Sequence, residues 1–215
     1  EAMLAAWGYP DKLEVVLGQL VNLFRDGQPV RMSKRTGEMV TFEELIDEVG
    51  VDSTRFMMLS RSSDQQIDFD IEAAKKKDSS NPVYYVQYAH ARICSIIRKA
   101  FGYEDESIDI DEIAVKHIPD GVSLECLTDD SELSLIRAAS EFGEFISLAA
   151  RDRAPFRLTH YSERIASLFH VFYTNCKVIV DDEQLMMARL ALCDATRMLL
   201  KLTLSLMGIS APSKM

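Results

Sequence analysis

Four stretches beyond residue 81 carry apolar residues at helical spacing, and they restrict this chain to folds containing a helical bundle. After Asn81-Pro82, Val83, Val86, Ala89 or His90, Ile93 and Ile97 recur up to Gly102. Pro82 suits a first helical turn and Gly102 a stop. A second pattern spans 131–150, with Leu133, Ile136, Ala139, Phe142, Ile146 and Leu148. A third spans 159–179, with Tyr161, Ile165, Leu168, Phe169, Phe172, Cys176 and Ile179. The last spans 182–207, with Leu185, Leu192, Leu199, Leu202 and Leu206, closed by Gly208. One apolar stripe per helix lets the four bury a common core. Each fully buried Leu or Phe contributes about 1.5–3 kcal/mol. Residues 103–130 are acidic and irregular; solvated surface with some short helix is expected there.

The first eighty residues follow a mixed pattern. Val15, Val16, Leu17, Leu20, Val21, Leu23 and Phe24 form an apolar run that periodicity alone leaves open between strand and helix. A strand over 16–25 is expected, then a turn at Asp26-Gly27-Gln28-Pro29 and a second short strand. Thr41 and Glu44 form a capping box that opens a helix ending at Gly50. Asp52 is expected to cap the next helix, and Asp70 one through Ala73-Ala74, after an extended connector over 64–70. Lys75-Lys76-Lys77 before Asp78-Ser79-Ser80 reads as a helix end and a domain boundary.

Between these elements lies Val30-Arg31-Met32-Ser33-Lys34-Arg35-Thr36-Gly37. Three cations fall within five residues on a loop bracketed by turn formers, with Ser33 adding a hydroxyl. Such a loop suits an oxyanion such as phosphate, the alternative being a solvated basic turn.

The bulk charge sharpens this. The chain has 215 residues, a net charge of −10 and a pI near 4.9. That argues against non-specific polyanion binding but leaves room for local basic patches. Cys94, Cys126, Cys176 and Cys193 are scattered without a Cys-x-x-Cys pair, so reduced thiols are expected. His90, His117, His160 and His170 have no ligand spacing. No apolar run is long enough to span a membrane. The chain begins at Glu1 rather than Met and reads as a piece of a longer protein.

Arg31-Met32-Ser33-Lys34-Arg35 resembles the Lys-Met-Ser-Lys-Ser loop of class I aminoacyl-tRNA synthetases. Arg31 stands at the first Lys position and Arg35 at the last Ser. With Leu20-Val21-Asn22-Leu23 before it and Thr36-Gly37 through Thr41 after it, the stretch is similar to arginyl-tRNA synthetases. Asn81-Pro82-Val83-Tyr84-Tyr85-Val86-Gln87-Tyr88-Ala89-His90-Ala91-Arg92 resembles the first helix of that family's anticodon-binding domain. Phe172-Tyr173 with Cys176 and Val178 resembles a later one. Asp194-Ala195-Thr196-Arg197 stands where the family has Asp-Ala-Leu-Arg, and Pro212-Ser213-Lys214-Met215 resembles its Pro-x-x-Met ending.

The resemblance implies a mainly α chain. A C-terminal helical-bundle anticodon-binding domain over 79–215 would follow the trailing end of a class I Rossmann-type catalytic domain over 1–78. It implies ATP as substrate, with Mg2+, and ligation of arginine to tRNA(Arg). Lys34 and Ser33 would be catalytic, within an ATP-binding loop of Arg31, Met32, Ser33, Lys34 and Arg35. Tyr88, Arg92, Tyr173 and Met215 would bind tRNA. Tyr88 and Arg92, four apart on one helix face, can offer a stacking plane and a clamp, with stacking worth about 1–3 kcal/mol per base. Asp194 and Arg197 read as a structural pair, and Tyr84 and Tyr85 as structural. No His-Ile-Gly-His-like signature occurs, so the chain alone is expected to be inactive. A cytoplasmic monomer with no metal or prosthetic group is expected. The alternatives are a helical protein-interaction module without RNA function, or the same region of another class I synthetase such as the cysteinyl enzyme.

Overall fold

The computed structural model describes residues 2–10, 12–13, 15–30, 40–105 and 107–215. After a short helix, α1 (Ala2–Ala6), strand β1 (Val21–Arg25) turns through Asp26 and Gly27 into β2 (Gln28–Pro29), pairing Phe24 with Pro29 and Arg25 with Gln28. Both turn residues have positive φ, 51° and 72°, which matches the twist of a two-residue hairpin. The strand is shorter than expected. Val15, Val16, Leu17 and Leu20 are exposed. Pairing begins only at Val21, where β3 (Ile67–Asp70) runs parallel alongside and sets Val21 against Ile67 and Leu23 against Phe69. The sheet order is β2-β1-β3.

Helix α2 (Phe42–Val49) opens on the capping box: Glu44 N–H donates to Thr41 Oγ1, and Thr41 N–H to the Glu44 carboxylate. Gly50, at φ 89°, ends it and admits α3 (Val51–Leu59) at once. Asp52 does not cap α3; its carboxylate instead faces Gln87 and Ser210, far along the chain. Asp70 does cap α4 (Ile71–Lys75), accepting from Ala73 N–H at 3.1 Å. Leu23, Leu45, Phe69, Ile71 and Ala74 form a small core between sheet and helices.

The larger core belongs to the bundle. Helix α5 (Pro82–Ala100) packs against α9 (Phe156–Asn175) and α10 (Glu183–Leu206), with α7 (Asp130–Ser140) on α9. Val86, Ile93, Ile97, Ile165, Phe169, Phe172, Leu200 and Leu204 meet at its centre. The 103–130 stretch contributes α6 (Ile110–His117), whose Ile110 and Ile113 join this core with Leu127.

The helix expected over 131–150 is two, α7 and α8 (Phe142–Arg151), broken at Glu141. Tyr161 explains the break. Its hydroxyl donates to Ala138 O at 3.0 Å, the carbonyl that a continuous helix would offer to Phe142 N–H. The redirected α8 then brings Phe142 and Phe145 to 5.4 and 5.0 Å from the Tyr161 ring. The buried face of α7 also differs from the expected stripe: Glu132, Leu135 and Ala138 are inside and Leu133 is exposed. Glu132 tolerates this because Arg189 Nε meets its carboxylate at 2.7 Å.

On α10 the leucine stripe is likewise displaced. Leu202 and Leu206 are 45% and 52% exposed, while Ala188, Cys193, Thr196, Leu200, Thr203 and Leu204 are buried with Leu192. The two threonines bury cheaply because each hydroxyl donates to the carbonyl four residues back at 2.7 Å. Arg197, 2% exposed, bonds Asp194 on its own helix and Asp111 on α6. Burial opposes its charge, but the two carboxylates outweigh burial and hold the guanidinium pKa up. The expected structural pair is therefore a triad that pins α6 to α10. All four cysteines are free thiols. Among the described residues, no helix is long and apolar enough to cross a membrane.

Candidate nucleic-acid interface

The exposed strip of α5 carries Tyr84, Tyr88, Arg92, Ser95 and Lys99, which helical spacing places on one side. Tyr88 is 39% exposed. Its ring lies 6.0 Å from His170 of α9 at 25°, and 6.5 Å from Tyr84 at 12°. Tyr85 meets the same imidazole at 4.8 Å. The Arg92 guanidinium stands 5.0 Å over the Tyr173 ring, a cation–π contact, and Tyr173 is backed by Phe169 of the core at 6.0 Å. α5 and α9 thus bring Tyr88, Arg92 and Tyr173 onto one surface, with His170 among them.

The sequence alone assigns His170 no role; only the packing of α9 on α5 reveals its place. Burial and the Arg92 cation push its pKa down, against a backbone hydrogen bond with Tyr85. Both effects favour the neutral ring, and among the described residues its Nε2 has no hydrogen-bond partner.

The C-terminal tail borders the strip on the other side. Arg55 Nε donates to Met207 O at 2.7 Å, and Gly208 turns there at φ 68°. Glycine suits the place: a side chain would be strained at this positive φ, and its Cβ would come within 2.7 Å of the Arg55 guanidinium, which would have to shift. Ser210 N–H donates to Asp52 at 3.1 Å, and Gln87 Nε2 donates to Asp52 at 2.7 Å and to Ser210 O at 3.0 Å. His90 Nδ1 lies 2.9 Å from Pro212 O. A carbonyl only accepts, so Nδ1 carries the proton. Burial pushes the His90 pKa down, which suits this neutral tautomer. Arg98 then meets Ser213 O at 3.3 Å. The tail therefore runs along α5 from Gln87 to Arg98 and ends at Met215, 52% exposed. Nothing local in the sequence signals these contacts, because each bond to the tail joins residues more than a hundred positions apart and Gln87 lies 35 from Asp52.

Arg31, Met32, Ser33, Lys34 and Arg35 lie outside the described residues. The flanks of that stretch are anchored: Val30 N–H donates to Leu23 O at 2.8 Å, and Val30 and Val40 both pack on the small core. Among the described residues, no group of three or more His, Cys, Asp or Glu could hold a metal ion.

A family model described as the DALR anticodon binding domain matches residues 86–215. An arginine–tRNA ligase of Moorella thermoacetica is 46% identical over 213 residues, 99% of this chain and 36% of that protein. One of Dehalococcoides mccartyi is 44% identical over 216 residues, 37% of its length. The chain therefore spans little more than a third of these relatives. A Campylobacter jejuni structure provisionally assigned as an arginyl-tRNA synthetase matches all of this chain and 44% of its own, with 31% identity and a TM-score of 0.81. Thermus thermophilus arginyl-tRNA synthetase, at 24% identity and a TM-score of 0.70, shares the fold.

Proposed function

We propose, on the premise that this chain belongs to the DALR anticodon binding domain family, that it works as the C-terminal portion of an arginine–tRNA ligase. In this reading residues 79–215 grip the anticodon region of tRNA(Arg), and residues 1–78 belong to the catalytic side. The observation that carries it is the Arg92 guanidinium held 5.0 Å over Tyr173, beside the part-exposed Tyr88. Unstacked bases of a tRNA loop bind by stacking on aromatic rings and by hydrogen bonds to their edges. Tyr88 offers a stacking face, Arg92 a cation and spare donors, and Tyr173 a ring that fixes the fork of Arg92. Met215, on the tail that follows α5, adds an apolar wall.

The whole enzyme would join arginine to tRNA with ATP. Lys34, helped by Ser33 and Arg35, would stabilise charge at the α-phosphate and the departing pyrophosphate, within an ATP-binding loop that also includes Arg31 and Met32. Mg2+ would enter with the ATP phosphates. Without the ATP and arginine sites that the rest of the enzyme would supply, the chain alone would be inactive. A monomer working in the cytoplasm completes the reading.

Tyr88→Ala and Arg92→Ala test it. Each is expected to weaken binding of an arginine-tRNA anticodon stem-loop about tenfold, with the far-ultraviolet circular dichroism unchanged. Unaltered affinity in both variants would overturn the reading.

A further inference from the structure

Among the described residues, Arg98 is a buried cation without a counter-ion. It is 6% exposed, and among the described residues no carboxylate lies within ion-pair range of it. Its Nη1 and Nη2 each donate one long bond, 3.3 Å, to Ser213 O and Ile108 O, and among the described residues its Nε has no partner. A guanidinium has five N–H donors, so most of this one's capacity is unspent. Burying a charge without a paired anion is costly, so a native site that does so points to an anion it has yet to receive.

The space beside it fits that anion. An open pocket of about 360 Å³ is lined by Arg98 with Ser95, Lys99, Tyr103, Glu104 and Ser213. Ser95 and Lys99 continue the strip of Tyr88 and Arg92, so the pocket lies one to two turns further along the same face of α5. Glu104 is exposed on its rim, where water screens it.

We infer that this pocket holds a backbone phosphate of the bound RNA, clamped by Arg98 and Lys99. The inference rests on the reading of the chain as an RNA binder and adds a phosphate clamp to it. A nucleotide stacked at Tyr88 would have its strand continue along α5 towards this pocket. The phosphate would fix the register of the strand while Arg92 and the aromatic rings face the bases. Arg98 would also hold the tail at Ser213 most firmly when the anion is in place.

The test is the salt dependence of stem-loop binding by the full 215-residue chain. Removing one cation that neutralises a phosphate of a single strand lowers the slope of log K against log salt by about 0.7. Arg98→Gln and Lys99→Ala are each expected to weaken binding about tenfold, to lower that slope by about 0.7, and to leave discrimination between anticodons intact. Arg98 also braces the tail, so its variant could lose structure. The exposed Lys99→Ala keeps the test valid in that case. A purely structural role would weaken binding without changing the slope. Unchanged slopes in both variants overturn the inference. Inorganic phosphate, titrated into the RNA-free chain at constant ionic strength, separates the two sources of the anion. Saturable binding lost in Arg98→Gln, together with unchanged slopes for the stem-loop, would assign the pocket to free phosphate and overturn the RNA contact. If the wild type binds stem-loops without regard to anticodon, the anticodon reading fails while the slopes still decide the phosphate contact.

Discussion

Asp52 on α3 and Ser210 in the C-terminal tail are 158 residues apart in sequence, yet the Ser210 N–H donates to the Asp52 carboxylate at 3.1 Å. Gln87 of α5 donates to the same carboxylate at 2.7 Å. One side chain thus joins the sheet-bearing segment, the bundle and the tail. Asp52→Ala is expected to cost about 1–3 kcal/mol, since it leaves the Ser210 and Gln87 donors short of an acceptor. Urea titration would measure the loss. Hydrogen exchange should speed up first at the amides of Ile209, Ser210, Ala211 and Ser213, because the tail is held mainly by such side-chain bonds.

Arg197 gives a larger expected effect. It is almost wholly buried between Asp194 and Asp111, at 2.8 and 2.5 Å. Arg197→Ala removes one partner of each, Asp111 keeping Lys201, and is expected to destabilise the bundle by about 3 kcal/mol. The partial exposure of Asp111 keeps the figure at the low end of the range for buried pairs. Arg197→Met, which retains the apolar stem, should cost less. Equal losses in the two variants would assign the effect to the charge rather than to packing.

The pH dependence of stability follows from His90. Burial holds its folded pKa below the ordinary value, against the pull of its bond to Pro212 O. The unfolded chain therefore takes up a proton first as pH falls. The stability due to the neutral ring is complete above about pH 6.5 and declines as pH drops from there towards the folded pKa. His170, also pushed down by burial, acts in the same direction. The urea midpoint is expected to fall between pH 7.5 and 5.5, and to fall less in His90→Asn, which can still donate to Pro212 O. A wild-type midpoint that rises over that interval would contradict this account.

Arg92 and Tyr173 should act together on RNA. Arg92→Ala and Tyr173→Leu are each expected to weaken stem-loop binding. The double variant should lose less than the sum, with a coupling of about 0.5–1 kcal/mol. Strict additivity in the double-mutant cycle would mean that the cation–π pairing at 5.0 Å does not orient Arg92 for binding.

Local signals in the sequence correspond closely to the structure. Thr41 with Glu44, Asp70, Pro82, Gly102 and Asp182 mark helix ends through bonds or backbone angles within a few residues, and each stands at a helix end. Features set by distant partners were not legible. The break between α7 and α8 depends on the Tyr161 hydroxyl reaching Ala138 O. The buried face of α10 admits threonines whose hydroxyls are satisfied by their own helix, so a leucine count points to the wrong side. Asp52 reads as a helix cap until Ser210 is brought beside it. Tyr88 and Arg92 stand out as neighbours on one helix, whereas His170 and the seating of Arg92 on Tyr173 require α9 to be packed against α5.

The central claim is that this bundle reads an arginine anticodon. The most direct measurement is the affinity of the chain for arginine tRNA, set beside the same tRNA with its anticodon bases replaced. At fixed salt, replacement is expected to weaken binding at least about tenfold, since single-stranded bases are read by stacking and edge contacts. Equal affinity for both RNAs would contradict the account.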